Sequence, residues 1–489
     1  MRQTPSQTLA AALLLAIACG APSESSDGAE LRIISSVPAP DTIETAVADP
    51  LEAMLVDRSG DPMAGVEIRW STDGGVWFAR QPGSPFADSA LDTTDAGGLT
   101  SIFVYRGSRS GPATIRVRAE SASEGDSLTL QIAAGNPASV QALPADTTLR
   151  VGAGIRLRAT VRDRAGNPRG DIAALHAVAG AAAITLTDYD SLGAQQTARA
   201  AVEASFDGLA DTAWISVVPN GSIAAFRTSA NTGGRDELAV FDTDGRNWQT
   251  IWQSPFHSFY EAALAWHPSG DAMAFVDVIH PPNRQIYRID LQGVVTEAIS
   301  PTESQPGNLA PQYSSDGAWL HYTGVDNPGT GGTALYRKSV DGQVEQVVFP
   351  GSIYTTDTEG SPSPDGGRIA FVTDRPDLAS TRADLAIYTV ADDAIQLIGI
   401  PARTPRWSPT GDVVAFVRDG QIWMVNADGS DPRLLATETM PYLPGLSWSP
   451  DGSWIAAATE DGVRMVEAAT GLILPLAFTQ GFASPAWHP

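Results

Sequence analysis

Six histidines are the first residues to weigh, because imidazole both ligates metals and moves protons near neutral pH. They stand at His176, His257, His267, His280, His321 and His488. No two have the close helical spacing that turns a pair of imidazoles toward one zinc ion. No G-x-S-x-G elbow, Walker loop or dinucleotide fingerprint stands in a suitable context either. The single cysteine, Cys19, has no thiol partner in the chain, so neither a disulfide nor a cysteine-based metal site is available. Asp57, Asp61 and Asp163 are a candidate calcium set, set against the commoner habit of turn aspartates, which accept their own backbone N–H groups. No catalytic residue, metal or cofactor is expected from these patterns, although carboxylates from distant segments can converge without a local motif.

Binding chemistry has better candidates. Phe256, Phe259, Tyr260 and Glu261 form one cluster, Tyr354 and Asp357 a second, and Tyr442 and Phe482 stand alone. Aromatic faces at such positions can grip a peptide or a glycan, and they can equally pack beneath loops as satellite core.

The elements that hold these residues come from a repeat. Ser447-Trp448-Ser449-Pro450-Asp451-Gly452 is followed by Trp454-Ile455-Ala456. The same frame recurs at Trp266-His267-Pro268-Ser269-Gly270, Tyr313-Ser314-Ser315-Asp316-Gly317, Pro362-Ser363-Pro364-Asp365-Gly366 and Trp407-Ser408-Pro409-Thr410-Gly411. Pro presets one φ and Gly accepts a positive one, so each phrase reads as strand, tight turn, strand. His267 and His488 occupy the position held elsewhere by Ser408 and Ser449, which makes them turn residues. From Gly270 to Gly452 the spacings are 47, 49, 45 and 41 residues, the period of propeller blades. The chain ends on half a phrase, Trp487-His488-Pro489, and Gly221-Ser222-Ile223-Ala224 supplies the other half. This predicts six blades over 220–489, with the last strand completing the first blade and removing an exposed edge.

A second signature, such as Ile286-Tyr287-Arg288-Ile289 before Asp290-Leu291-Gln292-Gly293, follows in each unit. W-S-P-D-G, then I-A-F, I-Y-V and D-x-D-G, resembles the repeat of TolB-type propellers, and that resemblance implies a six-bladed, protein-binding head. Similar blades also occur in some polysaccharide lyases. In an up-and-down blade the W-S-P-D-G and D-x-D-G turns share one side. The other side carries unequal loops, predicted at 227–237, 276–285, 323–334 and 372–385, so binding is expected on that second, asymmetric face.

Ahead of the repeat, 31–135 reads as short alternating strands around turns. Asp57-Arg58-Ser59-Gly60-Asp61-Pro62, the strand ending in Trp70, and Asp95-Ala96-Gly97-Gly98 resemble bacterial immunoglobulin-like domains of the invasin/intimin class. Asp163-Arg164-Ala165-Gly166-Asn167-Pro168 opens a second, weaker copy over 136–219. At the N-terminus, Arg2 precedes an apolar run over 9–18 that suits a secretory signal over 1–18 and is too short to span a membrane. Leu15-Ala16-Ile17-Ala18-Cys19 resembles a bacterial lipoprotein signal, which implies lipidation of Cys19. A Ser/Ala/Gly-rich tether over 19–30 follows.

A net charge of −25 disfavours nucleic acid. Gly 46 and Pro 35 in 489 residues fit an all-β, turn-rich protein. The sequence predicts an exported, monomeric, non-enzymatic lipoprotein of the outer membrane or cell surface. An immunoglobulin-like stalk carries a propeller that binds an envelope protein or surface glycan. A propeller-based carbohydrate-active enzyme and a structural adhesin are the alternatives, with a soluble exported form as the alternative location.

Overall fold

The computed structural model describes residues 28–187, 190–227, 236–253, 263–280, 283–298, 309–327, 332–348, 355–375, 383–437 and 445–489. Cys19 and the signal lie outside the described residues. The described chain is strand and turn, with a three-residue 3-10 turn at Ala181–Ala183. It divides into two compact units. One holds the residues up to Ser139 with Val161–Asp171; the other holds Val140–Thr160 with Ile172–Pro489.

In the first unit a four-stranded and a five-stranded sheet close over one apolar core. Alternation dictates which side chains face it. Leu51, Ala53 and Leu55 from Leu51–Val56 are buried, as are Ile68 and Trp70 from Glu67–Thr72, while the intervening residues face outward or lie half-buried. The turn aspartates accept backbone N–H groups. Asp57 Oδ1 takes those of Ser59 (2.8 Å) and Asp61 (3.0 Å), and Asp163 Oδ1 takes those of Ala165 and Asn167, both at 2.9 Å. Asp163 Oδ2 also accepts from the Gly135 N–H at 2.8 Å. Burial raises the Asp163 pKa, but these bonds outweigh it and the carboxyl titrates below its usual range. Among the described residues no cluster of metal-ligating side chains occurs.

The second unit opens with a four-stranded sheet, in which Asp146–Arg150 runs parallel to Leu209–Val218, and a three-stranded sheet. The strand Leu209–Val218 leads directly into the propeller, where Val218 is buried in the core shared with Ile223, Phe241, Trp454 and Phe482. Thr148 Oγ1 accepts from the Ala477 N–H (3.1 Å), and Arg150 reaches Asp242 (2.9 Å) and Asp244 (3.2 Å).

Among the described residues, 220–489 forms six antiparallel four-stranded sheets. In the first, Ser222–Arg227 pairs with Phe482–Trp487, joining Ile223 to Trp487 and Arg227 to Phe482. Each sheet's inner strand contacts the next, and Leu264–Trp266 also contacts Phe482–Trp487. Second strands such as Arg368–Thr373 and Val413–Arg418 are apolar on both sides because they are covered by sheets on both faces.

Two of the predicted loops are corrected. Over 276–285 the strands continue as Ala272–His280 and Asn283–Asp290, with Asp277 opposite Gln285 and His280 opposite Asn283. Over 323–334, Gly324 lies opposite Ala334 and Asn327 opposite Gly332. The reason is local. β-branched residues such as Val276, Val278 and Ile279 favour the extended backbone, so these connections prolong their blades as hairpin arms.

Candidate functional site

The inner strands converge on an axial cavity of about 370 Å³, lined by residues of all six blades on the side of the Pro-Gly turns. Its frame is built from those turns. Ser314, Ser363 and Ser449 each donate Oγ–H to the aspartate two residues on (2.6, 2.5 and 2.5 Å). Each accepts the N–H five residues on, at 2.9 Å. The aspartates of these turns are held below the usual carboxylate range, Asp316 and Asp365 chiefly by the serine bond.

Glycine closes each turn for two reasons. Gly270 and Gly317 have φ of 75° and 71°, and a Cβ on either would stand 2.7 Å from the His488 or His267 ring of the preceding blade. His488 Nε2 lies 3.1 Å from the Gly270 carbonyl and its ring packs edge-on to Trp266 at 4.6 Å. His267 Nδ1 is engaged with Ser269 Oγ at 2.6 Å. These two imidazoles stitch neighbouring turns together.

Most polar groups of the cavity wall are committed to the scaffold. The Trp266 and Trp448 indoles donate to the carbonyls of Ala486 (3.0 Å) and Arg406 (3.1 Å). Ser361 and Ser447 accept from the Trp407 and Trp487 N–H groups (3.1 and 2.8 Å). Three groups stand apart from that pattern. The Trp407 Nε1–H is buried without an acceptor among the described residues, and its ring is capped by the Arg368 guanidinium at 4.7 Å. The Arg406 guanidinium donates to the adjacent Pro405 carbonyl (2.8 Å); burial lowers its pKa to about 10, with Glu359 opposing, so it stays charged at neutral pH. The Gln312 side chain completes the set. A guanidinium and an amide at one cavity suit a carboxylate or a peptide carbonyl.

The residues singled out in the sequence fall elsewhere. Phe256, Phe259, Tyr260, Glu261, Tyr354 and Tyr442 lie outside the described residues. Asp357 is fully buried. Arg375 holds it through Nη2 at 2.6 Å and Nε at 3.1 Å, and Thr373 Oγ1 donates to it at 2.6 Å. Burial pushes its carboxyl up against the pull of those donors. Phe482 is 4% exposed and packs edge-on against Phe241 (5.5 Å) and Trp248 (5.2 Å). Arg406 was missed, although a signal existed. The residue before each repeat aromatic, or its Pro362 counterpart, is Ala265, Gln312, Ser361, Ser447 or Ala486, and an arginine departs from that series.

No family model matches this chain. Over 164 residues it is 29% identical to the uncharacterized protein Atu1656 of Agrobacterium fabrum, a match covering 31% of this chain and 53% of that protein. Over 80 residues it is 26% identical to the uncharacterized protein YidR of Escherichia coli, covering 15% of this chain and 19% of that one. The chain thus spans about half the length of the first relative and a fifth of the second. Among solved structures it is similar to TolB from Acinetobacter baumannii (22% identity, 55% of this chain and 67% of that chain, TM-score 0.46). It is also similar to a putative TolB from Agrobacterium tumefaciens (19%, 55% and 99%, TM-score 0.40). An oligogalacturonate lyase in complex with manganese is more distant (13%, 53% and 72%, TM-score 0.32).

Proposed function

We propose that this chain is a non-enzymatic cell-envelope lipoprotein, exported and anchored through Cys19. Two immunoglobulin-like modules form its stalk, and a six-bladed propeller closed by its C-terminal strand is its binding head. The partner is a protein that inserts an extended, carboxylate-bearing segment into the axial cavity. The observation that carries this reading is the Arg406 guanidinium beside the Gln312 amide on the wall of that cavity, whose other polar groups hold the scaffold. Paying the desolvation cost of a guanidinium at a cavity is useful when a partner supplies the counter-charge.

The test is capture from an envelope extract by the immobilised mature chain, compared with Arg406→Glu and Gln312→Ala. Loss of the same captured protein in both variants, with unchanged melting behaviour, is expected. Undiminished capture by Arg406→Glu sinks the axial site.

A further inference from the structure

In the first unit a cavity of about 450 Å³ opens where the edge strands of its two sheets, Val76–Ala79 and Ser89–Thr93, meet. Its lining follows from local structure. Ile68 and Trp70 are buried, so strand alternation turns Arg69, between them, outward. Phe78 and Ala87 exchange backbone hydrogen bonds (2.7 and 3.0 Å), and the Ser84 N–H donates to the Gln81 carbonyl (3.1 Å). The loop closed in this way brings Arg80, Ser84 and Pro85 to the cavity, which Arg69, Ser89 and Leu91 of the five-stranded sheet also line.

Both arginines are exposed, and among the described residues neither has an ion pair, a hydrogen bond or a ring partner. Carboxylates are abundant in this chain, 56 acidic residues against 31 basic ones, yet none of the described ones lines the cavity. Asp88, beside Ser89, accepts from the Ser89 Oγ–H at 3.5 Å. Asp92 is taken by the Thr100 Oγ–H (2.7 Å) and the Ser101 N–H (3.3 Å). Arg118 stands opposite Arg69 in the ladder, is exposed and has no carboxylate partner among the described residues, so it adds a third positive charge next to the opening.

The donor set selects the ligand. A guanidinium offers parallel N–H groups that an oxyanion occupies in pairs. One such fork satisfies both oxygens of a carboxylate, whereas a phosphate monoester, with three terminal oxygens and a charge of about −1.5 to −2, can engage two. The Ser84 and Ser89 hydroxyls add neutral hydrogen-bonding groups on the same lining. The net charge of −25 repels extended polyanions, so the carrier of the phosphate is otherwise uncharged.

We infer that this cavity binds a single phosphate monoester group through Arg69 and Arg80. The site is separate from the axial cavity and does not depend on it. A soluble sugar phosphate and a phospholipid headgroup both present this group, and two arms of one experiment tell them apart.

Calorimetric titration of the full mature chain with inorganic phosphate and with α-D-glucose 1-phosphate tests the soluble source. Co-sedimentation with phosphatidylcholine vesicles, with and without phosphatidic acid, tests the lipid source. Binding in at least one arm is expected, and the arm in which it occurs names the source. Arg69→Gln and Arg80→Gln should each weaken that binding about tenfold, and Arg69→Lys should weaken it severalfold because an ammonium lacks the fork. Arg406→Glu should leave it unchanged. Both arginines are exposed, so their replacement does not disturb the core. No binding in either arm at millimolar phosphate overturns the inference, as does binding that survives the combined Arg69→Gln and Arg80→Gln replacement. Acetate binding as tightly as phosphate would overturn it as well.

Discussion

His321 shows how burial sets the pH response of this molecule. It lies in the second strand of the third blade and is 7% exposed; desolvation chiefly, with Arg337 assisting and Asp316 opposing, lowers its pKa to about 4. A folded-state value below the usual 6.5 means that the unfolded chain binds the proton first. Stability is therefore unaffected above about pH 6.5 and is lost as pH falls from there toward 4, at about 1.4 kcal/mol per pH unit. His321→Phe should flatten the denaturation midpoint across that window; a midpoint that still falls equally would assign the loss elsewhere. The turn aspartates act lower. Their depressed values keep their contribution intact above the ordinary carboxylate range, and it disappears only as acid protonates them. Asp357 offers a second residue-level test. Asp357→Ala removes the buried carboxylate that Arg375 grips, side chains 0% and 6% exposed respectively. Urea unfolding should report a loss of about 3–5 kcal/mol.

Turns decide the behaviour of the elements. In each Pro-Gly turn the serine spans the bend from aspartate to backbone, so Ser449→Ala removes two bonds, to Asp451 at 2.5 Å and from Trp454 at 2.9 Å. A loss of about 1–3 kcal/mol is expected, read by denaturant titration, since the buried Trp454 N–H is left unmatched. Gly462 is harder to replace. Its φ is +119° and a Cβ would stand 2.4 Å from the Thr479 carbonyl. Gly462→Ala should destabilise the sixth blade by about 2 kcal/mol or more, visible as a lower unfolding midpoint. The hairpin arms of the second and third blades belong at this scale too. The stretches between the second and third strands of these blades were expected as loops, but β-branched stretches keep pairing once a partner strand has been started.

At the scale of the whole molecule, the second unit joins the four-stranded sheet that holds Asp146–Arg150 to the propeller by specific bonds. Thr148 holds the Ala477 N–H, and Arg150 bridges Asp242 and Asp244. Hydrogen exchange at Ala477 should quicken in Thr148→Val while inner-strand amides such as Trp487 keep their protection; equal rates at Ala477 would mean that this contact does not order the junction. The proposed anchor is tested on the same scale. Cys19→Ser should shift the chain from the membrane fraction to the soluble fraction and abolish labelling by radioactive palmitate, and retention in the membrane would refute the anchor.

The repeat was legible in the residues because Pro, Gly, the aromatic and the following apolar run each have a local physical reason, so all-β blades with positive-φ turn glycines could be read directly. The role of the histidines at 267 and 488 was legible by the same route, as substitutions at a turn position. Little of the candidate site was. The pairing of Ser222–Arg227 with Phe482–Trp487 was expected from the two half-phrases, but which side chains it brings to one cavity is decided by packing across the array. So is the fate of a charge. Asp357 and Arg406 look alike as loop-flanking polar residues, yet one is closed into an ion pair and the other lines a cavity with hardly a partner. Local sequence sets backbone angles within a few residues, whereas burial and partnership depend on atoms that only the assembled blades bring within a few ångströms, and no spacing along the chain encodes those distances.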